Sequence, residues 1–87
     1  MAQVSGYFTG TGQSAAVSGD RIGIYMDFAG TASVDVEVQM PSGAWIKVVT
    51  GITADYAQVY DANGVALRLN CTAHTNNVEW NLVSTSP

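Results

Sequence analysis

The sequence predicts an all-β fold: a single compact antiparallel β-sandwich of seven or eight short strands, with a small barrel as the alternative. Three observations predict it. Apolar and polar residues alternate with a period of two through most of the chain, because successive side chains of a strand point to opposite faces. Clusters of Gly, Pro, Asn and Asp interrupt these runs at intervals of roughly ten residues. Nowhere does apolar spacing support a helix longer than one turn. With 87 residues there is room for one core and no second domain.

Taken in order, QVSGYF and the weaker QSAAV open the chain, in a stretch of twenty residues built mainly from Gly, Ser, Thr, Ala and Gln. Tyr7 and Phe8 are its only large side chains. Such a segment buries little by itself, so residues 1–20 read either as a weak edge strand or as an arm lying on a neighbouring subunit. The sandwich proper spans residues 21–87. In RIGIYMDF, Ile22, Ile24, Met26 and Phe28 share one face, and Arg21, Gly23, Tyr25 and Asp27 the other. In ASVDVEVQM, Val34, Val36, Val38 and Met40 oppose Ser33, Asp35, Glu37 and Gln39, which marks the acidic side as solvated.

Pro41-Ser42-Gly43 turns this strand into AWIKVVT as a hairpin. After YAQVY, the tetrad Asp61-Ala62-Asn63-Gly64 supplies a turn in which Asn63 and Gly64 tolerate positive φ, and VALRLNCT follows. The last strand is VEWNLV, with Val78, Trp80 and Leu82 on one face. Trp80 therefore reads as core, and Trp45, at the start of its strand, as packing across the sandwich.

Seven acidic residues against three basic ones leave a net charge of −4. Lys47, Arg21 and Arg68 are scattered, whereas nucleic-acid affinity needs Lys and Arg against several phosphates, so no nucleic acid is expected as a partner. The same shortage argues against docking to an anionic membrane, and no run nears the ~20 apolar residues that cross a bilayer. The uncharged start lacks the basic residues and apolar block of a signal peptide. With Cys71 as the only cysteine, synthesis in a cytoplasm is the expectation. Charged residues make up 11% of the chain against a typical ~25%, and hydrophobic ones 47%; a small chain of this kind often completes its burial against other subunits.

No enzymatic constellation emerges. Cys71 and His74, three apart on an extended strand, face opposite sides, which disfavours a nucleophile–base pair. One Cys and one His cannot supply a zinc site, and no glycine loop leads into a helix to cradle phosphate. Asp35 and Glu37, with Asp27 on the preceding strand, could form an acid–base or calcium set, but the solvated face is the simpler reading. The Asp61–Gly64 turn lacks the later bidentate acid of a calcium loop. The expectation is a non-enzymatic protein with no catalytic, cofactor or metal residues. Aromatics carry what binding signal there is: Tyr25, on the polar face of its strand, and Tyr56 as contact residues, with Tyr7 and Phe8 as anchors of an arm.

The residues Val34–Met40 (VDVEVQM), Pro41–Trp45 (PSGAW) and Gly64–Leu82 (GVALRLNCTAHTNNVEWNL) resemble a pattern in small structural proteins of tailed bacteriophages. The resemblance covers residues 18–83, although the hairpin turn is shorter here than in family members that read V.LQRS.DGG.TW. It implies an Ig-like sandwich on the outer surface of a virion capsid, a decoration or cement protein that binds the major capsid protein. It also implies a homo-oligomer, a trimer foremost. A glycan-binding or host-binding module of tail or fibre, and a neck or head-completion protein, are the alternatives within that setting.

Overall fold

Chain-distant strands pair like the two halves of a folded ribbon. The computed structural model describes residues 2–85; Met1 of the 1–20 segment and Ser86 and Pro87 of the 21–87 unit lie outside the described residues. The strands are β1 (Ala2–Phe8), β2 (Gly12–Gln13), β3 (Val17–Ser18), β4 (Arg21–Phe28), β5 (Ala32–Gln39), β6 (Trp45–Ile52), β7 (Tyr56–Asp61), β8 (Ala66–His74) and β9 (Val78–Thr85). All pairings are antiparallel: β1 with β9, β2 and β3 with β8, β4 with both β7 and β9, and β5 with both β6 and β8. Sheet A has the order β1-β9-β4-β7. Sheet B has the order β2-β8-β5-β6, with β3 also on β8.

The sandwich is therefore as expected, and no closed barrel forms. Its strand order is not immunoglobulin-like, however. An immunoglobulin sheet sets the first strand beside the second; here the first lies beside the last. Counting the short β2 and β3 as one interrupted strand, the nested pairs describe a small jelly roll. Residue 20 is no boundary either. β1 pairs with β9 along its whole length, from Ala2↔Ser84 to Phe8↔Val78, and is an edge strand rather than an arm. Phe8 and Val17 from this segment are part of the core.

Between the sheets, alternation places Ile22, Ile24 and Met26 of β4 and Val78, Trp80 and Leu82 of β9 against Val34, Val36 and Val38 of β5 and Leu67, Leu69 and Cys71 of β8. Met40, expected on the valine face, falls beyond the end of β5 and is exposed. Fully burying one such aliphatic side chain stabilises by about 1.5–3 kcal/mol. The Asp61–Gly64 turn adopts the positive φ expected of Asn63 (53°) and Gly64 (88°). It is anchored by backbone: the N–H groups of Ala62 and Asn63 donate to the Asp20 carbonyl at 2.8 and 3.1 Å, and that of Gly64 to the Gly19 carbonyl at 2.9 Å.

Candidate interaction surface

The two outer faces of the sandwich differ. On sheet B, Glu37 of the central strand pairs in register with Lys47 on one side and Arg68 on the other. Cross-strand neighbours on one face meet directly. Arg68 Nε donates to Glu37 Oε1 at 2.8 Å, Asn70 Nδ2 to Oε2 at 3.0 Å, and Lys47 Nζ to Oε2 at 3.2 Å. Lys47 Nζ also donates to Asp35 Oδ2 at 2.7 Å, whose Oδ1 accepts the Gly51 N–H at 2.9 Å. The Arg68 guanidinium lies 4.2 Å from the centre of the Trp45 ring. Those two side chains start from strands on either side of β5, so they meet above it next to Glu37.

The solvated reading of Asp35 and Glu37 is thus corrected: they are only 6% and 5% exposed. Burial pushes both carboxyls up. Hydrogen bonds from Lys47 and the Gly51 amide at Asp35, and from Arg68, Asn70 and Lys47 at Glu37, outweigh it and leave both below their ordinary values. The same contacts raise Lys47. Trp45 is corrected too: it lies half-buried on the outside of sheet B with Arg68 rather than in the core. Asp27 belongs to the other sheet, opposite Glu79, so the three carboxylates considered together do not assemble.

Sheet A leaves its outer face open. Tyr7 is 63% exposed, Tyr25 43% and Val59 60%. The Tyr25 ring lies down over Gly23, where a Cβ would sit 2.8 Å from its Cε2; the missing side chain makes that position possible. On one side of the ring is a groove of about 430 Å³ lined by Tyr25, Asp27, Asp55, Ala57, Glu79 and Asn81, with Met26, Tyr56 and Trp80 contributing to its floor. On the other side is a groove of about 260 Å³ between Arg21, Val59, Val83 and Thr85. Asp55 is fixed in place by accepting the Phe28 N–H at 2.8 Å.

Of the four aromatic residues singled out from the sequence, Tyr7 and Tyr25 come to this one face, on either side of β9. Phe8 does not: it is buried in the molecule's own core with its ring 6.0 Å from that of Trp80, so it cannot anchor an arm. Tyr56 points inward beside Met26 and packs against the core, although it also lines the larger groove. Val59, Asp55 and Glu79 were not singled out. The alternation of YAQVYD, which puts Ala57, Val59 and Asp61 opposite two tyrosines, carried the signal for Val59.

Charge is unevenly distributed between the faces. All three cations have carboxylate partners: Arg21 with Asp61, Lys47 with Asp35 and Glu37, and Arg68 with Glu37. Among the described residues four acidic side chains have no such partner, Asp20, Asp27, Asp55 and Glu79, and they match the net charge of −4. Three of the four line the larger groove. Among the described residues no group of three or more His, Cys, Asp and Glu converges closely enough to hold a metal ion, so these carboxylates border an open groove. Cys71 is buried, which pushes its thiol up, and His74 Nε2 lies 3.1 Å from the Phe8 carbonyl oxygen.

A scan of protein-family models found none that matches the chain, and searches of the curated proteins and of the solved structures found no match either.

Proposed function

We propose that this protein is a non-enzymatic structural module that decorates the outer surface of a phage capsid, and that it docks on the major capsid protein through the outer face of sheet A. The resemblance of residues 18–83 to small virion proteins supplies the setting. The observation that carries the docking surface is the contrast between faces: sheet B closes its outer side with its own ion pairs, while sheet A leaves Tyr7, Tyr25 and Val59 exposed. Tyrosine favours protein contacts because it offers large, rigid area at small entropic cost. Three carboxylates without cations border that face, so the complementary patch on the capsid protein is basic. A shell presents many equivalent sites, so modest contacts per copy suffice to stabilise it.

The test is the copy number in purified virions of the encoding phage, by quantitative mass spectrometry, combined with rebinding of Tyr25→Ala and Val59→Glu chains to stripped particles. Copies in proportion to the major capsid protein, and loss of rebinding by both variants, are expected. A few copies per particle would move the protein to the neck or tail and overturn decoration.

A second reading has its own observation. An aromatic ring flanked by Asp27, Asp55, Glu79 and Asn81 in one groove suits a sugar, with the ring stacking on a pyranose face and the polar groups accepting its hydroxyls. In that case the protein is a glycan-binding module of tail or fibre. Titration with host polysaccharide separates the two: saturable binding abolished by Tyr25→Ala favours the sugar.

A further inference from the structure

Four strands or strand pairs stand at sheet edges, and they are not equally protected. A bare edge presents unpaired N–H and C=O groups, and proteins blunt such edges with bulges, charges or brevity. β6 is blunted: its register against β5 shifts twice, Gly51 turns it with φ of 70°, and Lys47 projects from it. β2 and β3 are two residues each. β7 is regular, with Asp55 immediately before it and Asp61 at its end. β1 has none of these devices. Its seven residues, AQVSGYF, carry no charge and no proline, and they pair with β9 residue for residue without a bulge. Among the described residues no strand pairs with its other side.

We propose that the occupant of this edge is a second copy of the chain, with β1 pairing antiparallel to β1 of the partner about a two-fold axis through Ser5. The sequence of β1 is self-complementary in that register. Each bulky residue meets a smaller one: Phe8 faces Ala2 of the partner subunit, Tyr7 faces Gln3 of the partner subunit, and Val4 faces Gly6 of the partner subunit. Ser5 meets its own copy on the axis. Gly6 is tight on its own side, because a Cβ there would sit 3.1 Å from Trp80 Cζ2 and the indole would have to give, so the core favours a small residue at that position.

Charge permits the same edge. Each copy carries −4, yet β1 brings no carboxylate to the joining strands, whereas the other regular edge, β7, ends in Asp61. The product is one continuous eight-stranded sheet whose two outer faces lie on the same side, with Tyr7 of each copy near the seam. Its two-fold symmetry takes the place of the threefold that the family resemblance implies. The inference goes beyond the docking reading and stands or falls separately from it.

Sedimentation equilibrium of the full chain, from about 10 μM to about 1 mM, tests it. Twice the 9.1 kDa chain mass is expected at the upper end. Ser5 is exposed, so Ser5→Lys leaves the fold intact yet places two like charges on the axis; at least a tenfold weaker association is expected. Ser5→Glu behaves likewise, and a mixture of the two variants regains the dimer, because opposite charges then meet. Ala57→Lys, on β7, leaves the dimer unchanged. In parallel, amide exchange in β1 of the unaltered chain slows as concentration rises, a readout that needs no variant. A monomer across the whole range, or a dimer indifferent to Ser5→Lys and broken by Ala57→Lys, overturns the proposal.

Discussion

The outer faces of the two sheets use similar residue types to opposite ends. Each has carboxylates on a central strand and an aromatic side chain nearby. On sheet B the neighbouring strands bring Lys47, Arg68 and Asn70 to them, and Arg68 in turn stacks on Trp45. On sheet A the neighbours bring more carboxylate, Glu79 opposite Asp27, and the tyrosines stay in solvent. The lesson is that a carboxylate on a strand is neither structural nor functional by itself. Its cross-strand partners decide which it becomes.

The sharpest way to break this comparison is to remove Glu37. Its loss leaves Arg68, Lys47 and Asn70 without their common acceptor, and Glu37→Ala is expected to lower the unfolding free energy by about 3 kcal/mol in urea titration. Glu79→Ala, on the open face, is expected to stay within about 0.5 kcal/mol of the parent. Equal losses at the two positions would erase the distinction.

Acid provides the next largest effect. Because Asp35 and Glu37 have folded pKa values below their unfolded ones, their stabilisation is present above the unfolded values, about 4, and is lost as pH falls through the folded values. The melting temperature of the parent should therefore fall steeply below about pH 4. A chain carrying Asp35→Asn and Glu37→Gln should start lower and fall less. Lys47, raised by the same contacts, has the opposite sign: its contribution is lost only as pH rises past the ordinary lysine range.

A smaller effect is expected for Arg68→Lys, which keeps the charge but loses the planar stacking on Trp45 and the geometry of the guanidinium–carboxylate contact. About 1 kcal/mol, with a change in tryptophan fluorescence, is the expected outcome. The smallest is Gly23→Ala. The added methyl meets only the far end of the Tyr25 side chain, so the ring swings outward while stability changes by less than about 0.5 kcal/mol. Tyrosine ring chemical shifts would report the movement, and rebinding to capsids would show whether that ring position matters for docking.

Much of the molecule was legible in its sequence. Alternation located β4, β5 and β9 and assigned Trp80 to the core, while turn residues marked off β6 and β8, with Asn63-Gly64 announcing its turn. What alternation reports is the direction of each side chain, not which strand lies alongside. The burial of Asp35 and Glu37 depends on Lys47 and Arg68, which are 10 and 31 residues from Glu37 and meet it only once the sheet is assembled. Trp45 was misplaced for the same reason, since its partner Arg68 lies across β5. The nested strand order was likewise unreadable from local pattern. Phe8 is a different case: Val4, Gly6 and Phe8 share one parity and Tyr7 the other, so the inward direction of Phe8 was available from the alternation itself.

The nested pairing also dictates a timetable. The hairpin of β5 and β6 closes from neighbouring residues, whereas β1 waits for β9, with Ala2 joined to Ser84 across a separation of 82 residues. Contacts between distant parts of a chain form late, because the entropy of closing large loops must be met first. During synthesis on the ribosome, then, β1 emerges first and is seated last, with both of its edges bare in the interval. An uncharged strand in that condition can be adopted by the β9 of another nascent chain. The rate at which β9 is delivered therefore sets how long the first strand stays unpaired.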